Sequence, residues 1–444
     1  MVNNMILINS ILIVIFLFCI LKLFTKIGYK ILFLAYILLN FIQQIASIIY
    51  LNTGVFVNEL NRTTYYVSES IPLFIFYTDI FFIALCFFAK KSNKYSKNTF
   101  SIKKSEGLSK WYCYGILLIT AMFTMYTFAD LCVSGIPMFN DFITHWNYYS
   151  VYSTLPYAST VNNLISVAMF LLGFAFIHNN NIYFKKTCIV IMMISVILRI
   201  LMGFRMSGLI DIPMNFYAIV VLSSPIEFKN IRQAFKIKYI LITIFVVSSV
   251  VGIFIMSTFM NTNSSDIEMI IDLLVNRALG LGNHLWWAAE ADELTGNGII
   301  GHNLLNEILL IITFGDQFDV NTGMYYLMNK YGNSYIVNVD IDHGIRFAAT
   351  FITTTVYNWG YILSFIPIII VAKITIWFIY SMEDALISDN FFQLALLCKI
   401  WVTFVTFVVA SGTIAEWLNI ENYLYFLLYL IIKNTIKSSK IIIK

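Results

Sequence analysis

The sequence predicts an all-α polytopic membrane protein, and three observations carry that prediction. Of the 444 residues, 59% are apolar and only 12% are charged, whereas a soluble domain carries about 25% charged residues. The mean hydropathy is +0.80. Apolar residues form long runs, and lysines gather in the short loops between them. A soluble chain of this length would hold about three domains, and so little polar surface could not cover their cores.

Eleven apolar runs have the length of a membrane-spanning helix, which needs about 20 residues. We read the first run as a retained span because the preceding MVNN has no positive charge and no small-residue cleavage site follows. The predicted spans are 5–24, 31–51, 71–89, 111–133, 160–178, 187–203, 207–224, 239–258, 350–372, 391–410 and 417–432.

The distribution of basic residues predicts the orientation of these spans. Lysine and arginine in short loops favour the cytoplasmic side. Alternate loops and the C-terminal tail contain 21 of the 28 basic residues. With eleven spans, a periplasmic N-terminus and a cytoplasmic C-terminus, all of these loops lie on one side. One topology therefore satisfies every loop.

Arginine and lysine are distributed differently. Twenty of the 22 lysines lie in cytoplasmic segments, whereas five of the six arginines lie outside or near an outer membrane edge. The positive-inside rule does not separate the two residue types, but arginine has a planar fork that binds phosphate or carboxylate through two parallel hydrogen bonds. The arginines therefore predict an anion-binding outer face. The alternative is ordinary pairing with carboxylates of the outer loop.

The outer segment 259–349 contains eleven of the 24 acidic residues and three of the five histidines. Its stretches 266–279 and 302–314 are amphipathic and too short to span, which is typical of helices at the membrane interface, and one of them could be re-entrant. The sequence thus divides into spans one to eight at 1–258, the periplasmic segment, and spans nine to eleven with a basic tail at 350–444.

Four arginines of the outer face are candidate site residues. Arg199 and Arg205 lie at the end of span six, where Gly203 predicts a break in the helix. An arginine inside a membrane is a functional hypothesis, and the alternative is that its side chain reaches the interface. Arg277 lies on the polar side of the 266–279 helix, and Arg346 lies at the mouth of span nine.

Aromatic and histidine side chains accompany these arginines. Trp286 and Trp287 follow Arg277, and they are either interface anchors or faces for stacking sugars. His302 opens the second amphipathic helix, and His343 shares a helical face with Arg346. Histidine is the natural general base near neutral pH; the alternatives are exposed loop histidines and the nearby acids as rival bases.

Several classes of function lack sequence support. The chain has no P-loop, GxGxxG turn, HExxH helix, GxSxG elbow or CxxC pair. We therefore predict neither a metal nor a cofactor. The net charge of +4 is too small to indicate a nucleic-acid partner.

The overall pattern resembles the bacterial O-antigen polymerases of the Wzy type. The shared features are many spans, lysine-rich inner loops, a long outer loop before the last spans, and outward arginines. Short stretches carry the resemblance locally: SGIPMF at 134–139, LMGFRMSGL at 201–209 and YNWG at 357–360. The His-Asn at 302–303 is similar to a pair that opens a helix in the related O-antigen ligases, although here a polar loop follows at 315.

This resemblance implies a GT-C-like enzyme of the bacterial inner membrane. Such a polymerase moves a glycan from undecaprenyl diphosphate to a hydroxyl of another lipid-linked repeat unit, and a chain-length regulator accompanies it. The hypothesis assigns Arg205 and Arg277 to the diphosphate and His302 or His343 to the role of base. The substrate-binding residues are then Arg199, Arg346, Trp286 and Trp287. Rival functions are O-antigen ligase, which transfers finished polymer to lipid A core, and a flippase or transporter of lipid-linked sugar.

Overall fold

A computed structural model gives the structure of the chain at residues 2–89, 108–139, 148–203, 206–223, 275–294, 304–313, 322–342, 347, 349–388 and 390–442. It is 85% helical, which confirms the predicted all-α class. Within these ranges, the strands Phe56–Val57 and Arg62–Thr63 form a small antiparallel pair.

The described part of the chain contains sixteen α-helices, which we number in chain order. Short 3-10 or π-helical segments occur at Gly28–Leu34, Asn58–Leu60, Pro137–Phe139, Tyr148–Tyr152, Asn276–Gly280 and Phe407–Ser411. The α-helices are α1 Val2–Ile27, α2 Ala35–Leu51, α3 Ser70–Phe88, α4 Leu108–Ser134, α5 Ala158–His178, α6 Ile182–Leu201, α7 Met206–Ser223, α8 His284–Leu294, α9 Leu304–Thr313, α10 Gly323–Tyr331, α11 Ser334–Asp342, α12 Phe351–Trp359, α13 Phe365–Ile387, α14 Phe391–Thr406, α15 Ile414–Trp417 and α16 Ile420–Ile442.

Seven helices in the described ranges are long and apolar enough to cross a membrane. Six of them coincide with predicted spans, and the seventh overlaps the predicted ninth span only in part. The predicted span 239–258 lies outside the described residues, so the count of eleven stays a prediction, as does the topology. The seven helices are Met5–Ile27, Lys30–Leu51, Ser70–Phe88, Trp111–Phe139, Ala158–His178, Phe365–Ile387 and Phe391–Ser411.

The structure corrects the predicted ninth span, 350–372, which is not one helix. The short helix α12 ends at Trp359, and the next residue, Gly360, has a φ of +83°. The longer helix α13 begins only at Phe365. A positive φ is freely available to glycine alone, and a hydropathy average does not register a single glycine. The break predicted at Gly203 between α6 and α7 is confirmed, because this glycine has a φ of +77°.

Contacts divide the chain into two compact units. The first comprises Met1–Ile27, Ile37–Ser92 and Val275–Lys444, and the second comprises Gly28–Tyr36 and Asn93–Leu274. The sequential division into 1–258, 259–349 and 350–444 stays a prediction about topology.

Each unit has its own core. In the first unit, the rings of Phe41, Phe81, Phe82 and Phe351 contact one another at centroid distances of 5.3–6.5 Å. In the second unit, α5 packs closely against α7 because Gly173 has no side chain: a Cβ there would overlap a backbone carbonyl oxygen of α7.

Candidate functional site

Two buried glutamates in the first unit define the candidate site. Glu290 of α8 is 2% exposed, and Glu307 of α9 is 4% exposed. A carboxylate removed from water is stable only with hydrogen-bond donors around it. Each glutamate accepts hydrogen bonds from side chains of one five-residue stretch, Tyr357 to Tyr361, with the sequence YNWGY, and Glu307 also accepts one from the backbone of Gly323.

Two tyrosines hold Glu290. The hydroxyl of Tyr357 donates to Glu290 Oε1 at 2.5 Å, and the hydroxyl of Tyr361 donates to the same oxygen at 3.1 Å. Tyr357 is the third-last residue of α12, and Tyr361 follows the Gly360 turn. The break after α12 therefore brings a second hydroxyl back to the same carboxylate.

An amide and an indole hold Glu307. Asn358 Nδ2 donates to Oε1 at 2.6 Å, and Trp359 Nε1 donates to Oε2 at 2.7 Å. Burial raises the pKa of Glu307 to about 7, although these donors partly oppose the shift. At neutral pH the carboxyl is thus divided between its protonated and ionised forms. A group with this pKa can accept a proton and return it.

The helix that carries Glu307 has its apolar stripe on the outside. Leu305, Leu309 and Ile312 are 73%, 57% and 67% exposed, whereas Glu307 and Leu310 face inward and are buried. Within the stretch 302–314, which was predicted to form an amphipathic helix, the structure describes a helix at Leu304–Thr313. An exposed apolar stripe on a ten-residue helix suits the membrane interface. Because α9 is about 10 Å in diameter, the buried carboxylate of Glu307 lies within about 10 Å of the surface formed by this stripe.

The residue directly before α8, Asn283, is hydrogen-bonded to the same helix, α12. Thr353 Oγ1 donates to Asn283 Oδ1 at 3.0 Å, and Thr353 lies one turn before Tyr357 on α12. The neighbouring His284 is buried, with Nδ1 3.2 Å from the carbonyl of Leu281. Burial lowers the pKa of His284 to about 4, so its ring is neutral at physiological pH.

Trp286 and Trp287 are fully buried in α8. Trp286 Nε1 donates to the carbonyl of Ser70 at 2.9 Å, and Trp287 Nε1 donates to that of Tyr65 at 3.0 Å. The Trp287 ring lies against the guanidinium of Arg62, 5.1 Å from its centroid. Neither ring has a free face for a sugar, so the structure corrects the predicted stacking role: both indoles anchor α8 in the core.

Two of the arginines predicted to lie on the outer face form contacts within their own units. Arg199 is buried in the second unit, where Nη2 donates to the carbonyl of Asn162 at 3.1 Å and the guanidinium is attracted by Asp211. Arg62 forms an ion pair with Asp292 at 2.9 Å. For Arg62, the alternative of ordinary carboxylate pairing describes the observed contact.

The remaining predicted site residues contribute little to the described geometry. Arg277 is part of the π-helical segment directly before α8, and nothing of its side chain is described. Arg205, His302, His343 and Arg346 lie outside the described residues. Among the residues that the structure does describe, no group of three His, Cys, Asp or Glu side chains could hold a metal ion.

Sequence reasoning did not single out either glutamate. Glu290 and Glu307 were two among eleven acids of the outer segment, named only collectively as rival bases. The sequence signal that could have indicated the two glutamates is YNWG, which was used only for the family resemblance and was not interpreted as part of a site. Its side chains supply hydrogen-bond donors, and an acceptor-only carboxylate is the partner they require.

Comparisons with known proteins match only part of the chain. Residues 317–426 match a family described as "Family of unknown function (DUF6418)". The matched region includes YNWGY but neither Glu290 nor Glu307. No curated protein and no solved structure matches the chain.

Proposed function

We propose that this protein polymerises undecaprenyl-diphosphate-linked oligosaccharide repeat units at the periplasmic face of a bacterial inner membrane. In this reaction a hydroxyl oxygen of the acceptor unit bonds to the anomeric carbon of the donor glycan. The bond from that carbon to the diphosphate breaks, and undecaprenyl diphosphate leaves as an anion. The proton of the attacking hydroxyl passes to a base on the protein, and no metal takes part.

The observation that carries the proposal is the buried carboxyl of Glu307. The reaction needs a base that is ionised at neutral pH and remains within reach of a lipid-anchored substrate. Glu307 has a pKa of about 7 and lies on a helix whose outer stripe suits the membrane interface. Asn358 and Trp359 each occupy one of its oxygens. A carboxylate offers about four lone-pair positions, so its remaining lone pairs can accept a proton.

The leaving diphosphate requires positive charge, because charge develops on it as the glycosidic bond breaks. Arg277 belongs to the segment that leads directly into α8, the helix of Glu290. We keep Arg205 and Arg277 as the residues that hold the diphosphate, with Arg346 in support. Arg199 stays in the proposal as a supporting residue, although its guanidinium already contacts the Asn162 carbonyl within the second unit.

Reconstitution with a lipid-linked repeat unit tests the proposal. The full chain, purified in detergent without an energy source, is given an undecaprenyl-diphosphate-linked repeat unit, and the products are separated by length. Products that grow by whole repeat units are expected. Addition of the glycan only to lipid A core would instead indicate a ligase, and movement across vesicle membranes without new glycosidic bonds would indicate a flippase; either result overturns polymerase activity.

Two variants assign the base in this assay. Glu307→Gln removes the proton acceptor while keeping the side-chain size, and we expect a loss of about 10²- to 10⁴-fold in rate. Asp292→Asn is the matched control, because Asp292 is a partly exposed acid of the same unit that pairs with Arg62. Equal activity of Glu307→Gln and Asp292→Asn would remove Glu307 from the mechanism.

A further inference from the structure

A groove lies between α1 and α3 of the first unit. Its volume is about 560 Å³. Both helices are long and apolar enough to span a membrane. The walls include the apolar side chains of Ile15, Phe18, Ile83 and Phe87, and two lysines lie at one end, Lys22 and Lys26.

The two lysines have different local roles. Lys26 Nζ donates to the carbonyl of Cys86 at 2.6 Å and to that of Ala89 at 3.2 Å. These carbonyls belong to the C-terminal end of α3, where a cation offsets the partial negative charge of the helix. Lys22 lies one turn earlier on α1 and is exposed at the groove. Lys26 therefore joins α1 to the end of α3 at one end of the groove. Lys22 is left to supply a positive charge to a ligand in the groove.

The length of the groove matches one leaflet of a bilayer. From Ile15 to Lys26 the helix rises about 16 Å at 1.5 Å per residue. Half of a hydrocarbon core that is about 30 Å thick is about 15 Å. The lysines thus lie near the headgroup level, and the apolar walls run from there to about the middle of the membrane.

We propose that this groove binds one anionic phospholipid. The acyl chain lies against Phe18, Ile83 and their apolar neighbours, and the phosphate pairs with the ammonium of Lys22. The lysine-rich end of α1 is on the side that the loop charges predict to be cytoplasmic, where anionic lipids are bound by basic residues next to a span. The site is separate from Glu307, and the proposal does not depend on the proposed glycosyl transfer.

Native mass spectrometry of the purified full chain tests this site. The probes are 1-palmitoyl-2-oleoyl-phosphatidylglycerol and the phosphatidylcholine with the same acyl chains. We expect one phosphatidylglycerol to bind in preference to phosphatidylcholine. Lys22→Gln is expected to weaken phosphatidylglycerol binding about fivefold, the effect of one lysine near an anionic headgroup, and to leave phosphatidylcholine binding unchanged.

The control variant is Lys186→Gln, which removes an exposed lysine of α6 in the other unit and should bind both lipids as the wild type does. Ile83→Trp narrows the groove without changing charge, and it should weaken binding of phosphatidylglycerol also. Three results would each overturn the proposal: no preference for phosphatidylglycerol in the wild type, equal weakening by Lys22→Gln and Lys186→Gln, or unchanged binding by Ile83→Trp.

Discussion

Replacing Glu307 by glutamine should change how the stability of the protein depends on pH. The pKa of this carboxyl is about 7 in the folded protein and 4.5 as its ordinary value. Below pH 4.5 both states hold the proton, so the group has no effect. Between pH 4.5 and 7 only the unfolded state releases it, and rising pH therefore lowers the free energy of unfolding. Above pH 7 both states have released the proton, and the free energy of unfolding does not fall further through this group.

The magnitude follows from the width of this interval. Each pH unit is worth about 1.4 kcal/mol, so the wild type loses about 3 kcal/mol of stability between pH 4.5 and 7. Glutamine does not titrate, so the Glu307→Gln variant does not have this loss of stability between pH 4.5 and 7. It does lose an acceptor for one of the side-chain donors, Asn358 or Trp359, which costs about 1–3 kcal/mol at every pH. The variant is thus expected to be less stable than the wild type at pH 5 and to equal or exceed it at pH 8.

Thermal unfolding in detergent from pH 5 to pH 8 measures this difference. The quantity of interest is the difference in Tm between Glu307→Gln and the wild type, because titration of all other groups cancels in it. Asp292→Asn is the control for replacing an acid by its amide elsewhere in the same unit, since this carboxylate is partly exposed and paired with Arg62. Parallel profiles for Glu307→Gln and the wild type would refute the reasoning.

Three further substitutions test the structure around and beyond the site. Tyr357→Phe leaves Glu290 with one of its two tyrosine donors and should cost about 1–3 kcal/mol, seen as a lower Tm. Gly360→Ala forces a side chain into a backbone with φ +83° and ψ 164°, and it should cost about 1–3 kcal/mol. Gly173→Ala drives a Cβ into a carbonyl oxygen of α7 and should cost about 1–3 kcal/mol. Gly115→Ala, which meets nothing within 4 Å in its helix, is the control and should raise Tm slightly.

Each of these has an outcome that contradicts it. A Tyr357→Phe protein as stable as the wild type would mean that the hydroxyl does not support Glu290. If Gly360→Ala and Gly115→Ala had the same effect, the turn after α12 would not need glycine. A Gly173→Ala protein with unchanged Tm would show that α5 and α7 do not pack as closely as described.

The sequence predicted the features that depend on local patterns. Apolar runs, the glycine break at Gly203 and the amphipathic stretch at 302–314 are each encoded within about 20 residues. In the described ranges the structure has seven apolar helices of spanning length, the Gly203 break and a helix at Leu304–Thr313. The single helix expected over 350–372 was wrong because hydropathy measures composition, while the break at Gly360 depends on one backbone torsion. The indoles of Trp286 and Trp287 were expected at a surface. Their burial depends on Ser70 and Tyr65, more than 200 positions away.

The pairing of YNWGY with two particular glutamates explains what sequence reasoning can and cannot reach here. Successive residues of a helix point about 100° apart, so Tyr357, Asn358 and Trp359 face different neighbours. This is why one turn reaches both α8 and α9. The side-chain chemistry already indicates acidic partners, since each of these residues supplies a hydrogen-bond donor. The choice of Glu290 and Glu307 does not follow from the pattern, because the contacts cross separations of 67 and 51 residues along the chain. A donor-rich turn therefore predicts that an acid is bound, while only the packing of three helices decides which acid it is.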